Sequence, residues 1–222
     1  DSGGDGEQVG IGFVGAGDLN VDGFDDLLLL GPSSKGVVIL GSATPADQSL
    51  TAADWMIPSN MGMAGVGDIN GDGSADVLIA HRTRASLYLG DSALGKPQFD
   101  TPAATVTGLT KRGNSNYIRP ADVAGAGDVD GDGFGDMLIG SCADSEVADD
   151  AGAVYLVLGN PAPADLDVTG ADAKYSGVAQ CDMAGMTVAG AGDVNADGYA
   201  DQLVGAPSYA FTCSDGGWAY LL

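Results

Sequence analysis

Asp18-Leu19-Asn20-Val21-Asp22-Gly23-Phe24-Asp25-Asp26 is followed at once by Leu27-Leu28-Leu29-Leu30. Acidic or amide side chains stand at the first, third, fifth and ninth places, with a glycine at the sixth. The same arrangement returns at Asp68–Asp76, Asp128–Asp136 and Asp193–Asp201. Each time a short apolar run follows: Val77-Leu78-Ile79, Met137-Leu138-Ile139 and Leu203-Val204. Four copies make this a repeat, and the spacing of its oxygens gives it a chemistry.

A hard cation such as calcium takes six to eight oxygen ligands, and side chains at alternate positions of a tight loop converge on one point. The first copy offers Asp18, Asn20, Asp22 and Asp26, with the carbonyl of Phe24 between them. The second offers Asp68, Asn70, Asp72, the Ser74 carbonyl and Asp76. The third offers Asp128, Asp130, Asp132, the Phe134 carbonyl and Asp136, one carboxylate more than the others, and is expected to bind tightest. The fourth offers Asp193, Asn195, Asp197, the Tyr199 carbonyl and Asp201. Asp, Asn and Gly also make good turns. A turn needs only two of the five residues, however, whereas all four copies fill every ligand place.

An EF-hand loop also begins Asp-x-(Asn/Asp)-x-(Asn/Asp)-Gly, but it closes with a bidentate Glu at position twelve and runs into a helix. Position twelve here is Leu29, Ile79, Ile139 or Val204. The ninth-position Asp closes the loop instead. Short apolar runs bounded by Gly or Pro read as buried strands, so the loops are expected to join strand to strand.

The chain has 222 residues, 37 of them Gly, with 45% hydrophobic and only 18% charged residues. Many short buried strands joined by Gly-rich turns have this composition, whereas a disordered chain lacks the apolar residues to build a core. The formal charge of −23 comes largely from the proposed loops, whose side-chain ligands include 13 Asp. Four divalent ions would offset about a third of that charge, and metal should stabilise the fold by linkage. An acidic surface argues against nucleic acid and anionic membrane as partners. No apolar stretch approaches the ~20 residues of a membrane span, so no membrane insertion is expected. The chain opens at Asp1 without a signal-peptide pattern, which reads as a processed or trimmed form. Loops of this kind fill where calcium is millimolar, which places the protein outside cells, secreted or on the cell surface. Cys142, Cys181 and Cys213 suggest one disulfide and one spare thiol, with Cys181 able to pair with either neighbour.

The first aspartates of successive copies lie 50, 60 and 65 residues apart, a spacing that builds propellers and solenoids. Each copy reads as strand, metal loop, strand, variable loop, strand and a less regular segment. The third strands are Gly36–Leu40, Ser86–Leu89, Ala153–Leu158 and Trp218–Leu221. Four short antiparallel strands per unit make a propeller blade. The expected fold is therefore all-β: a single repeat domain over 1–222, with blades at about 9–57, 58–108, 109–172 and 173–222.

The copies resemble the FG-GAP repeats of the integrin α-subunit propeller. The fourth copy carries the likeness most fully, in Gly190-Ala191-Gly192-Asp193-Val194-Asn195-Ala196-Asp197-Gly198 and Asp201-Gln202-Leu203-Val204-Gly205-Ala206-Pro207. The other copies end their second strand in Gly31-Pro32, Ala80-His81 and Gly140-Ser141. The resemblance implies FG-GAP-type blades, a usual complement of seven, and a ligand-binding face opposite the calcium loops. Four blades, the last ending after its third strand, suggest a partial propeller completed by self-association, because exposed sheet edges are usually covered.

Six of the eight Lys and Arg fall between Arg82 and Arg119. Arg82 and Arg84 lie in the second variable loop, and Lys111, Arg112, Tyr117 and Arg119 lie in the link to the third copy. On the face opposite the calcium loops they would form one basic patch, fit for an acidic protein or a glycan. The acidic third loop, Cys142–Gly152, reads mainly as solvated surface. Catalysis finds no support, since the single histidine, His81, has no nucleophile pattern beside it and no phosphate or dinucleotide fingerprint appears. The expected function is an extracellular calcium-stabilised module for protein binding or adhesion, not an enzyme, with four structural calcium ions. A lectin propeller and a non-catalytic repeat domain of a larger secreted enzyme are the alternatives.

Overall fold

The computed structural model describes residues 12–30, 36–44, 55–57, 62–91, 99, 101–109, 122–208 and 216–222. Four small sheets carry them, with a single 3-10 turn at Val168–Gly170 as the only helical element among the described residues. The first sheet runs in chain order through β1 (Gly12–Gly17), β2 (Asp26–Leu30), β3 (Gly36–Ile39) and β4 (Trp55–Ile57). The second contains β5 (Gly62–Gly67), β6 (Asp76–Ala80), β7 (Arg84–Tyr88) and β8 (Ala104–Thr107). The third contains β9 (Val123–Gly127), β10 (Asp136–Ser141), β11 (Ala153–Val157) and β13 (Ala173–Ser176). The fourth contains β14 (Thr187–Gly192), β15 (Asp201–Ala206) and β16 (Trp218–Leu221).

Two connections depart from the blade limits read from the sequence. β12 (Leu166–Asp167) leaves the third unit and pairs in parallel with β8, giving the second sheet a fifth strand. β13 lies beyond residue 172, yet it is the outer strand of the third sheet, antiparallel to β11. The division between the third and fourth blades therefore falls after Ser176.

Strand alternation gives each sheet two apolar faces, and the core lies between sheets. In the first sheet Val14 pairs with Leu28, while Phe13 pairs with Leu29 on the other face. Leu28, Val38 and Ala16 pack against Val77, Ile79 and Tyr88 of the second sheet. The far face of the second sheet, with Leu78 and Leu87, packs against Met137, Ile139 and Tyr155 of the third. Leu138 and Val154 then meet Val188 and Val204 of the fourth.

β1, β5, β9 and β14 stand side by side as the inner strands. Their glycines permit this approach, because a Cβ on Gly65 would lie 2.7 Å from the Gly15 carbonyl oxygen, and one on Gly190 would lie 2.5 Å from that of Gly125. No comparable packing joins β14 back to β1 among the described residues, so the blades form an open arc. A two-residue step between Gly15 and Gly17 shifts the β1–β2 register, and Gly17 takes a φ of 76° there. A left-handed residue at this bulge turns the chain out of the strand and into the loop.

Candidate metal centres

Each aspartate loop spans the first and second strands of its blade, so all four lie at the same end of their sheets. The first-position Asp organises the loop through its own backbone. Asp128 Oδ1 accepts from the Gly131 and Asp132 N–H groups, and its Oδ2 accepts from Gly133. Asp68 does the same with Gly71, Asp72 and Gly73. Asp18 and Asp193 each hold the fifth- and sixth-position N–H groups. Fifth-position carboxylates accept from the seventh-position N–H: Asp22 from Phe24, Asp72 from Ser74, Asp132 from Phe134 and Asp197 from Tyr199. This leaves side-chain oxygens turned inward and the seventh residue held in the loop.

The third position separates the copies. Asn20, Asn70 and Asn195 donate a side-chain N–H to Asp22, Asp72 and Asp197 at 3.1, 3.0 and 2.9 Å. Asp130 has no side-chain N–H to give Asp132, and it accepts the Asp132 backbone N–H at 3.1 Å. Carboxylate oxygens of Asp128, Asp130 and Asp136 lie within 4.8 Å of one another. Two oxygens bound to one calcium at about 2.4 Å can be at most about 4.8 Å apart, so this all-oxygen set fits a hard cation.

The ninth-position Asp does more than close the loop. It is the first residue of the second strand, and Asp26, Asp76 and Asp136 are fully buried. One oxygen accepts from the second-position N–H, of Leu19, Ile69 and Val129 respectively. The other accepts from a glycine just past the third strand: Gly41 at 2.7 Å, Gly90 at 2.8 Å and Gly159 at 2.8 Å. Asp201 holds the Val194 N–H in the same way. Burial pushes Asp76 up to about 7; the Gly90 and Ile69 N–H groups oppose this, while Asp72 and Asp68 add to it. Asp26 and Asp136 are raised for the same leading reason. A cation in the loop would favour their charged form.

Gly41, Gly90 and Gly159 were not singled out by sequence reasoning, although a Leu-Gly pair ends the third strand in each of the first three copies. A Cβ there would sit 2.4, 2.3 or 2.2 Å from the carbonyl oxygen of Asp25, Ala75 or Gly135. Neighbouring loops are also latched together. The eighth-position N–H of one loop donates to the first-position carbonyl of the loop before it: Ala75 to Asp18, Gly135 to Asp68 and Ala200 to Asp128, at 2.9, 2.8 and 2.9 Å.

Of the proposed partner residues, Arg82 and Arg84 are exposed on the hairpin between β6 and β7, at the end away from the metal loops. Lys111, Arg112, Tyr117 and Arg119 lie outside the described residues, as does Cys213. Cys142 and Cys181 are buried, Cys142 as a thiol. In the third variable loop Glu146 and Asp149 are exposed, as expected of a solvated acidic surface, but Asp144 is not. Asp144 is buried, accepting from the Tyr155 hydroxyl at 2.8 Å, from Lys174 at 3.3 Å and from the Glu146 N–H at 3.1 Å, and Lys174 also pairs with Glu146. The loop is stitched to residues 177–184 by backbone bonds such as Met183 N–H to the Asp150 carbonyl.

Loops between first and second strands, inner glycine contacts and four radially packed sheets together describe propeller blades. Residues 68–139, which span the second and third loops, match the model of the FG-GAP-like repeat. No curated protein matches the chain in sequence. Among solved structures the chain is similar to BBS1N, in a crystal of BBS1N in complex with ARL6DN soaked with lead. The TM-score is 0.50 at 10% identity, over 90% of this chain and 51% of that one, so the chain spans about half the length of this structural relative. At that identity the likeness speaks for the fold alone, and it agrees with the FG-GAP-like match. No helix among the described residues is long and apolar enough to cross a membrane.

Proposed function

We propose that this chain is an extracellular, calcium-stabilised FG-GAP-type propeller segment that binds another protein, with calcium acting structurally in all four loops. The observation that carries the metal reading is the oxygen set of Asp128, Asp130 and Asp136 within 4.8 Å, in the one loop whose third residue is Asp rather than Asn. Calcium there would offset the charges that Asp128, Asp130 and Asp136 bring together and would fix the ends of the first and second strands. The protein-binding reading draws support from the fold, since the similar BBS1N was crystallised in complex with ARL6DN. On this chain the proposed contact surface is the hairpin end of the blades, where Arg82 and Arg84 are exposed on an otherwise acidic protein.

Thermal unfolding followed by circular dichroism, with millimolar calcium and with excess chelator, tests the metal reading. A ligand at 100 times its dissociation constant adds about 2.7 kcal/mol per site, and a domain of this size shifts by about 2–4 °C per kcal/mol. The melting temperature should therefore fall by roughly 5–10 °C or more per site emptied. An unchanged melting temperature would count against structural calcium, and a calcium midpoint far above millimolar would count against the extracellular setting.

A further inference from the structure

The aspartate loops are joined in series, and the residues that join them are among those that would hold metal. In the third loop Phe134, Gly135 and Asp136 are consecutive, and the Phe134 carbonyl and the Asp136 carboxylate are proposed ligands. The same three residues brace the loop before. The Gly135 N–H donates to the Asp68 carbonyl at 2.8 Å, and the Phe134 ring lies so close over Gly71 that a Cβ there would be 2.5 Å from it. Asp136 also holds the Gly159 N–H, and the next residue, Asn160, donates to the Ile69 carbonyl at 2.9 Å. Asp68 in turn organises the second loop, accepting from Gly71, Asp72 and Gly73.

The junction recurs between the third and fourth loops. Ala200 donates to the Asp128 carbonyl at 2.9 Å, and the Tyr199 ring covers Gly131. Between the first and second loops the backbone bonds remain, from Ala75 to Asp18 at 2.9 Å and from Asp91 to Leu19 at 3.1 Å. There, however, Ser74 stands in the place of the ring, and Val21, with a φ of 57°, in the place of the covered glycine. The first junction therefore keeps the hydrogen bonds without the aromatic brace.

We propose that these junctions couple the loops, so that calcium held in one loop raises the affinity of the loop before it and, by reciprocity, the converse. The proposal rests on the reading of the loops as calcium sites. Once the Phe134 carbonyl and Asp136 are fixed as ligands, residues 134–136 hold in place the N–H and the ring that brace Asp68 and Gly71, and the second loop has less freedom to lose on binding. Phe134 is thus a positioning residue for the second loop as well as a ligand in the third. Direct charge effects have the opposite sign. An empty third loop leaves bare carboxylates that would draw a cation to the second, and at physiological salt this attraction is screened beyond about 8 Å.

Calcium titration of the isotope-labelled chain at physiological salt, followed by amide NMR, reads each loop separately, because Gly23, Gly73, Gly133 and Gly198 donate their N–H groups to the first Asp of their own loops. Asp130→Ala takes a ligand from the third loop and should raise the Gly133 midpoint. It should also raise the Gly73 midpoint at least about fivefold, the lower end of usual coupling between sites, although the second loop keeps all its ligands. Gly23 should move least, since its loop is two junctions away and lacks the aromatic brace. Phe134→Ala keeps every ligand and should raise the Gly73 midpoint too, whereas Phe134→Tyr, which copies the fourth blade, should not. Should the alanine variant at 130 not give a folded spectrum, Asp130→Asn repeats the test with the composition of the other three loops and a smaller shift in the same direction. A Gly73 midpoint unchanged or lowered by the change at 130, while both loops titrate in the wild type, overturns the coupling and leaves the calcium reading standing. Equal shifts at all four glycines would trace the effect to folding of the whole chain and overturn it as well. Glycine signals that ignore calcium in the wild type would remove both the coupling and the calcium reading.

Discussion

The glycine that follows each third strand shows how one residue can hold a blade together. Gly159 donates its N–H to Asp136, and a Cβ in its place would stand 2.2 Å from the Gly135 carbonyl oxygen and 2.8 Å from that of Ile69. Both obstacles are backbone, one from its own blade and one from the blade before, so neither can swing aside. Gly159→Ala should lower stability by about 1–3 kcal/mol, as overpacking does, which urea unfolding would measure. A change of a few tenths would mean that the approach is looser than described. Sequence reasoning passed over this glycine because, without its partner strand, it looks like any turn glycine. Asp136 was visible for the opposite reason: its spacing from Asp128 is written in the chain. Its second role, accepting the Gly159 N–H, depends on a contact 23 residues away.

At the level of elements, the loops and the strands they join were legible, because Asp spacing fixes the loop and an apolar run fixes the strand after it. β12 and β13 were not. Leu166–Asp167 is too short for any pattern, and the outer strand Ala173–Ser176 alternates between half-buried and exposed positions. In the third variable loop the buried place of Asp144 was not legible, because it looks like a solvated acid until β13 brings Lys174 over it. Burial pushes the Asp144 carboxyl up, but the Glu146 N–H, the Tyr155 hydroxyl and Lys174 outweigh it and hold the group below the usual carboxylate range. Burial and the bond to Asp144 push Tyr155 up to about 12, so its hydroxyl stays protonated as donor. A carboxyl lowered in the folded state stabilises it above the unfolded pKa, and that contribution is lost as pH falls through the folded value. Asp144→Asn should therefore cost about 1–3 kcal/mol at neutral pH, with the gap to wild type narrowing as the solution becomes acidic below the ordinary Asp range. Denaturation at several pH values checks this, and a gap that widens on acidification would show that the carboxylate is not the stabilising form.

Over the whole molecule, stability comes from faces shared between neighbouring blades rather than from one central core. Leu138 and Leu203 occupy the same place in successive sheets, paired with Ala124 and Ala189 on the inner strands. Leu138 is buried between the third and fourth blades, whereas Leu203 lies on the open side of the fourth. The chemistry of the substitution is identical, so any difference between Leu138→Ala and Leu203→Ala measures the neighbouring blade. Leu138→Ala should cost about 2–5 kcal/mol through lost burial and the cavity left behind, at any protein concentration. Leu203→Ala should cost within about 0.5 kcal/mol, because the side chain is already partly in water. Urea unfolding of both variants makes the comparison. Equal costs would show that packing between blades is not what holds Leu138.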